Sequence, residues 1–160
     1  MRRALAAAAM AALIIADRLI KIAAETSLKG SADYPKIDGF LALRYVENTG
    51  AAFGILSGRT KLLALFTGLV LLAGTILLMI GKIKDNLLFA AAVLIVSGGL
   101  GNFYDRVFVG YVVDYIELLF VKFAVFNFAD CLITVGSALV IIYIIIDAAR
   151  DAKRKRGSGS

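Results

Sequence analysis

Two aspartates in separate apolar stretches could perform acid–base chemistry. Asp114 lies in VVDYI and Asp130 in FNFADCLITVG, and neither has a basic neighbour at helical spacing. Their 16-residue separation suits a loop that returns the chain to the start of the last apolar segment. Two carboxylates held together in an apolar site cannot both ionise easily, so the pair would hold one proton. Such a pair could activate water with one Asp and protonate a leaving amine with the other.

Asp130 also has a purely structural interpretation. It lies in the first turn of a predicted helix, where the helix dipole stabilises a carboxylate. A carboxylate at the mouth of a membrane span is nevertheless costly and normally has a function. Spacing alone therefore leaves both roles open.

The composition narrows the chemistry that the chain can perform. It has 160 residues with no His and one Cys, which excludes a disulfide framework, a Cys/His metal site and nucleophiles paired with His. The net charge is +6, but the basic residues form clusters between apolar runs, which does not indicate nucleic-acid binding. We therefore expect proton transfer by Asp, Glu, Lys, Tyr or water, without a metal or an organic cofactor.

Four apolar segments must position the carboxylates. Hydrophobic residues make up 61% of the chain, against about half in a soluble domain. The segments, each near the length of a membrane span, cover approximately residues 4–24, 62–80, 87–104 and 126–146. The first contains Asp17, Arg18 and Lys21, and its start also resembles a secretory signal peptide. We predict one membrane domain over residues 1–156 and interpret residues 157–160, GSGS, as the remnant of an expression tag.

The basic clusters predict the orientation of these segments. Arg2 and Arg3, the Lys82–Asn86 hinge and the basic tail would lie on one side, which the positive-inside rule assigns to the cytoplasm. On the other side, FLALRYVEN at 40–48 and YVVDYI at 111–116 have the composition of strands. We therefore predict an all-α membrane protein with four transmembrane helices and a small extracytoplasmic β-sheet between spans.

Ionisable and amide groups gather at the predicted outer ends of the spans. They are Asp17, Lys21, Asn48, Asn102, Asp105, Arg106, Asp114, Asn127 and Asp130. Polar groups that served only to hold helices together would be scattered with depth, so this grouping indicates a site near the outer interface. Structural alternatives remain for some of them, because Asp17 and Lys21 could form only a mutual i, i+4 ion pair. Gly98 could serve close helix packing.

Four ordered motifs resemble the signature blocks of a known family. In chain order they are ENTGAAFGIL, SGGLGNFYDR, VVDYI and FNFADCLITVG, and the Asp17–Lys21 pair resembles a further block. The match extends from about Asp17 to Gly136. On these motifs the chain resembles the lipoprotein signal peptidases, also called signal peptidase II. One departure is Arg18, at a position where members of the family often have Gln.

The resemblance implies an intramembrane aspartic endopeptidase. It would remove the signal peptide from diacylglyceryl-modified bacterial prolipoproteins by cutting before the lipidated Cys. Asp114 and Asp130 would be the catalytic pair. The residues that would shape the site and hold the substrate are Asn48, Asn102, Arg106 and Asn127. The residues that would give structural support are Asp17, Lys21, Asp105 and Gly98.

The resemblance also implies a location and a set of partners. The protein would be a multi-pass protein of the bacterial cell (inner) membrane, with both termini in the cytoplasm and the active site near the outer face. Its partners would be the lipidated prolipoprotein, membrane lipids and a cyclic peptide inhibitor of the globomycin type. We expect a monomer.

Three other functions fit parts of the sequence. A small proton-coupled transporter could use the Asp residues as a relay, although transporter sites usually lie near the bilayer midplane. A Ser-Lys peptidase could pair Ser97 or Ser57 with Lys21. A purely structural four-helix scaffold gives no reason for paired Asp residues in separate segments.

Overall fold

The part of the chain that the structure describes consists of four α-helices and a three-stranded sheet. A computed structural model describes residues 1–31, 35–50 and 58–157. The elements in chain order are α1 (Arg2–Leu28), β1 (Lys36–Ile37), β2 (Leu41–Asn48), α2 (Thr60–Ile80), α3 (Asn86–Tyr104), β3 (Val112–Leu118) and α4 (Phe128–Gly157). Most of the ENTGAAFGIL motif, the alternative nucleophile Ser57 and residues 158–160 of the GSGS tail lie outside the described residues.

Local sequence sets the points at which α2 ends and α3 begins. Gly81 ends α2 in the left-handed conformation, with φ of 75°, which costs glycine no Cβ clash. The Asp85 side chain then accepts hydrogen bonds from the backbone N–H groups of Leu87 and Leu88, at 2.8 and 3.0 Å, and caps α3. The short linker makes α2 and α3 antiparallel neighbours, as the sequence predicts.

An N-terminal arginine fastens the start of α1 to this linker. Arg2 donates to the backbone carbonyls of Lys84 and Asp85, at 3.0 Å each. Its guanidinium carbon also lies 3.9 Å from the centroid of the Phe89 ring, which is a cation–π contact. The start of α1 and the Lys82–Asn86 hinge therefore lie at the same end of the helices.

The sheet lies at the opposite end of α1. It is antiparallel with strand order β1-β2-β3, and Asn48 lies opposite Val112 while Val46 lies opposite Asp114. The first four residues of β3 are buried, because β3 packs against the last turns of α1. The two predicted strands are thus present, whereas β1 was not predicted because two exposed residues carry no recognisable pattern.

Three of the described helices are long and apolar enough to cross a membrane. They cover Thr60–Ile80, Asn86–Val109 and Phe128–Asp151. The 27-residue α1 is long enough, but Asp17, Arg18 and Lys21 interrupt its apolar sequence. The structure therefore confirms a mostly helical protein with three candidate membrane helices and a small sheet, while the predicted first span stays a prediction.

Glycines bring α3 and α4 close together. A Cβ added at Gly98 would collide with the carbonyl oxygen of Ala129, and one added at Gly136 would come within 2.8 Å of the carbonyl oxygen of Ala91. The two helices therefore run antiparallel in close contact, as small residues allow in membrane helices. This packing brings the first turn of α4 to the end of α3.

Candidate active site

At the end of α3, Asp105 and Arg106 are adjacent in sequence but have different surroundings. The helix continues as a five-residue π-helical turn, Asp105–Val109, which Gly110 closes by donating its N–H to the Asp105 carbonyl at 2.9 Å. Asp105 is fully buried and contacts α1, whereas Arg106 lines a cavity on the other side. Turns of this kind occur often at functional sites. The sequence did not predict this one.

A short return of the chain brings the start of α4 beside β3. Ile116 pairs with Phe126 as an antiparallel bridge, and each donates its N–H to the other's carbonyl, at 2.8 and 3.0 Å. Asn127 and Asp130 follow directly. The loop that the spacing of the two aspartates predicted is therefore present.

Asp114 is buried and held by two amide donors. The side chain of Asn48 donates through Nδ2 to Oδ2 at 2.9 Å, and that of Asn127 donates through Nδ2 to Oδ1 at 2.6 Å. The pKa of the Asp114 carboxyl is raised to about 6, mainly by burial; the charge of Asp130 contributes to the rise, and the two amide donors oppose it. Asp114 thus holds a proton more readily than an exposed Asp does.

Asp130 has both a cap geometry and a place in the site. Its Oδ1 accepts from Asn102 Nδ2 at 2.7 Å, and its Oδ2 accepts from the backbone N–H of Asn127 at 3.2 Å. In return, the Asp130 N–H donates to Asn127 Oδ1 at 3.0 Å. This reciprocal pair is a capping box at the start of α4. Asp130 therefore caps the helix through Oδ2, as the structural interpretation predicts, while its Oδ1 contacts Asn102 in the candidate site.

An amide bridge connects the two carboxylates. Asn127 Nδ2, besides its bond to Asp114, lies 3.1 Å from Asn102 Oδ1, and Asn102 donates in turn to Asp130. Arg106 donates from Nη1 to the Asn102 carbonyl at 3.3 Å and from Nη2 to the Gly50 carbonyl at 3.2 Å. The four residues predicted to shape the site thus surround the predicted pair.

A buried cluster of charges supports this bridge from behind. Lys21 Nζ lies 2.8 Å from Asp17 Oδ2, 2.9 Å from Asp105 Oδ2 and 2.9 Å from Asn102 Oδ1, so its three N–H groups have three acceptors. Arg18 adds a second cation through Nη1, 3.3 Å from Asp105 Oδ1. The other Asp17 oxygen accepts from the Ala129 N–H at 3.0 Å. The predicted Asp17–Lys21 pair is therefore part of a larger network.

The Ser-Lys alternative has no support in the described residues. The Ser97 hydroxyl is buried and donates to the Val93 carbonyl at 2.6 Å within its own helix. The three acceptors around Lys21 are carboxylate and amide oxygens, and none is a hydroxyl. Among the described residues, Lys21 therefore contacts two carboxylates and an amide and no serine hydroxyl.

The two carboxylates line one cavity of about 550 Å³. Its polar wall is formed by Asn48, Asn102, Arg106, Asp114 and Asp130, and its apolar wall includes Leu118, Phe123, Val125, Phe126, Ile133 and Val135. This arrangement can bind an apolar group next to an acid–base pair. Within the described residues, no three Asp, Glu or Cys side chains are placed to hold a metal ion.

Sequence reasoning missed four residues that contact the site or its support. They are Arg18, Gly50, Gly101 and Tyr115. A Cβ added at Gly101 would come within 2.5 Å of Asp17 Oδ2, so only glycine leaves room for that carboxylate. The Tyr115 hydroxyl accepts from the Phe128 N–H at 3.2 Å. The charge of Arg18 beside Asp17 was a usable signal, whereas the others depend on contacts between distant segments.

Comparison with known proteins gives consistent results. A sequence model of the family described as Signal peptidase (SPase) II matches residues 9–146. The "Lipoprotein signal peptidase" of Clostridium acetobutylicum is 43% identical over 144 residues, covering 88% of this chain and 94% of the relative. That of Streptococcus thermophilus is 38% identical over 144 residues, covering 90% and 94%.

Solved structures agree with the sequence relatives. A bacterial membrane enzyme determined by the in meso method at 2.3 Å has a TM-score of 0.83 at 31% identity, covering 92% of this chain and 91% of its own. Another, at 1.9 Å, has a TM-score of 0.77 at 32% identity, covering 88% and 92%. These similarities favour a peptidase over a small transporter. With the family model spanning most of the chain, they show that this protein belongs to the signal peptidase II family.

Proposed function

We propose that this protein is an aspartic endopeptidase in which Asp114 and Asp130 form the catalytic dyad. One observation carries the proposal. The two carboxylates line the same cavity and are joined by the Asn127–Asn102 amide bridge. A purely structural pair would have no need of a shared, partly apolar cavity of this size.

The two carboxylates would take opposite roles in hydrolysis. Asp114, whose pKa is raised to about 6 by burial, holds the shared proton. Ionised Asp130 takes a proton from water, and the water oxygen attacks the scissile carbonyl carbon. Asp114 gives its proton to the amide nitrogen as the carbon–nitrogen bond breaks. The products are a carboxylic acid and an amine, and transfer of the proton from Asp130 to Asp114 restores the starting state.

The substrate would be a bacterial prolipoprotein whose Cys carries diacylglycerol. The cut would fall just before that Cys, which is fixed near the lipid headgroups by its own acyl chains. The apolar wall of the cavity, with Leu118, Phe123 and Val135, suits such a neighbour. Asn48, together with Arg106, would hold the substrate backbone. A globomycin-type cyclic peptide would compete for the same cavity.

We propose that α1 is a fourth span within a single membrane domain. At about 1.5 Å per residue, 27 residues reach ~40 Å, which exceeds the ~30 Å hydrocarbon core. The Lys21 and Asp17 side chains are only 0% and 2% exposed, so they face the bundle. Leu5, Ile15 and Leu19, by contrast, are about 60% exposed on the surface of the helix bundle. A helix with inward charges and an apolar exterior suits lipid.

The arrangement of the ends suggests an orientation in the bacterial cell membrane. The basic residues near the start of α1 and in the Lys82–Asn86 hinge lie at one end, and the sheet with Asp114 lies at the other. The positive-inside rule assigns the basic end to the cytoplasm. The active site would then lie near the outer face, with both termini inside and the protein acting as a monomer.

Cleavage of a defined substrate tests the proposed function. The purified protein in detergent micelles is incubated with a diacylglyceryl-modified prolipoprotein and with the same protein lacking the lipid. We expect cleavage before the Cys of the lipidated form, and loss of at least 10²–10⁴-fold in rate for Asp114→Asn. Full activity of Asp114→Asn, at equal amounts of folded protein, would contradict the dyad.

A further inference from the structure

The first turn of α4 has a complete set of hydrogen-bond partners from three elements. The four N–H groups at the start of a helix have no partner within it. Here Asn127 N and Asp130 N are paired within the capping box. Ala129 N donates to Asp17 of α1, and Phe128 N donates to the hydroxyl of Tyr115 in β3. Two of the four groups therefore depend on other parts of the fold.

Tyr115 is the one of these partners that belongs to the strand carrying Asp114. It follows Asp114 directly in the sequence. Its hydroxyl contacts Phe128, the first residue of α4, and Asp130 lies two residues further along that helix. The ring is 6% exposed and packs with Ala24 and Leu28 of α1. Burial raises the pKa of the phenol to about 12, so the hydroxyl stays neutral.

We propose, on the basis of the proposed function, that Tyr115 is a positioning residue that sets the distance between the two catalytic carboxylates. The Tyr115 hydroxyl fixes the start of α4 against β3, so that the Asp130 carboxylate keeps a constant place relative to Asp114. The amide bridge through Asn127 and Asn102 connects the same carboxylates by side chains that can rotate. The backbone bridge between Ile116 and Phe126 joins β3 to the residue before the helix cap. The bond from Phe128 N to the Tyr115 hydroxyl adds a tie to the first residue of the helix itself, which neither that bridge nor the amides supply.

Loss of the hydroxyl has a predictable electrostatic result. Phe128 N–H would become a free donor at the positive end of the helix, which favours ionised carboxylates nearby. Asp130, held less closely, would repel the Asp114 charge less. Both effects lower the pKa of Asp114. The charged or titratable groups that lie around this site on the packed elements are Asp17 and Lys21 of α1, Asp105 and Arg106 of the π-helical turn, Tyr115 of β3, and Asp130 and Cys131 of α4.

The test compares Tyr115→Phe with Tyr111→Phe. Both changes remove one tyrosine hydroxyl from the same region, but the Tyr111 hydroxyl contacts Tyr45 and Glu25 instead of α4. We expect Tyr115→Phe to lower kcat roughly ten- to hundredfold, as misplacement of a catalytic group does. KM for the lipidated prolipoprotein should stay within about twofold, because the cavity wall is unchanged. The alkaline limb of the pH profile of kcat/KM should move to lower pH.

Each outcome has a defined meaning. Kinetics of Tyr115→Phe equal to those of Tyr111→Phe would overturn the inference. A fall in kcat that matches a fall in the folded fraction, with an unmoved pH profile, would also overturn it, since a merely structural role predicts that result. If the parent protein fails to cleave, or Asp114→Asn cleaves normally, the proposed function fails and the inference fails with it. Normal cleavage by the parent, none by Asp114→Asn and an unaltered Tyr115→Phe would refute the inference alone.

Discussion

Asn127 and Asp130 bond each other's backbones: Asn127 Oδ1 lies 3.0 Å from Asp130 N, and Asp130 Oδ2 lies 3.2 Å from Asn127 N. A capping pair of this kind fixes both side chains. The remaining Asp130 oxygen is thereby directed to Asn102, and the Asn127 amide nitrogen to Asp114. The helix cap and the candidate site are thus built from the same two side chains, and a structural role does not argue against a catalytic one.

Asp130→Asn separates these two roles. An Asn can accept one of the two hydrogen bonds that Asp130 now accepts, so we expect a modest loss of about 1 kcal/mol in stability. Cleavage should fall at least 10²–10⁴-fold, because Asn cannot take a proton from water. Thermal unfolding in detergent gives the first quantity, and the rate with lipidated prolipoprotein gives the second.

Asp105→Asn is the matched control for this change. Asp105 lies in the charge cluster and bonds Lys21 and Arg18, outside the cavity lining. It should lower the yield and the unfolding temperature more than the turnover of the folded protein. Activity of Asp130→Asn within about threefold of the parent would show that the carboxylate serves only as a cap, since Asn is itself a good cap.

The sequence predicted those features that depend on local pattern. The strand at 40–48, the strand at 111–116 and the return of the chain to Asp130 all follow from composition and spacing, and the structure contains them. Three candidate spans also agree within a few residues, apart from the C-terminal extension of α4 to Gly157. These features are set by residues close to one another in the chain.

The remaining features depend on contacts between distant segments. The π-helical turn has no recognisable residue pattern, yet it carries both Asp105, which contacts Lys21, and Arg106, which lines the cavity. The i, i+4 spacing predicted that Lys21 would pair with Asp17. Spacing cannot show that Asp105 and Asn102 also accept hydrogen bonds from the Lys21 ammonium. For the same reason the bond from Phe128 N to the Tyr115 hydroxyl could not be predicted from the sequence.

Cysteine labelling can test the proposed orientation. Lys36 lies in β1 with its side chain 61% exposed, and Lys84 lies in the hinge fastened to Arg2 at the opposite end. A membrane-impermeant maleimide added outside intact cells should label Lys36→Cys and spare Lys84→Cys. Cys131, the only native cysteine, is replaced by Ala in both variants. Ready labelling at residue 84 from outside would reverse the orientation.

The pH dependence of cleavage follows from the raised pKa of Asp114. The proposed mechanism needs Asp114 protonated, and its pKa lies at about 6 instead of 3.8 because of burial. As the pH rises through that value the acid is lost, so kcat/KM should fall by up to about tenfold per pH unit on the alkaline side. A profile of kcat/KM that keeps rising through pH 8 would count against Asp114 as the acid.

Arg18 should matter because it balances the charge of the buried cluster. Asp17 and Asp105 are two carboxylates held by the single ammonium of Lys21, and Arg18 supplies the second positive charge. Arg18→Gln keeps a hydrogen-bond donor but removes that charge. The cost should be about 1–2 kcal/mol, below that of a fully buried pair, because the Arg18 side chain is 31% exposed.

Arg44→Gln is the matched comparison for Arg18→Gln. Arg44 pairs with Glu117 at the same 3.3 Å, but its side chain is 49% exposed, so its loss should change stability by less than about 0.5 kcal/mol. Arg18→Gln should also move the alkaline limb of kcat/KM to higher pH, because Lys21 favours ionised Asp114 and the uncompensated carboxylates oppose it. Thermal unfolding and pH profiles of both variants provide the measurement. Equal, small effects of the two changes would mean that the cluster does not need Arg18 for its charge balance.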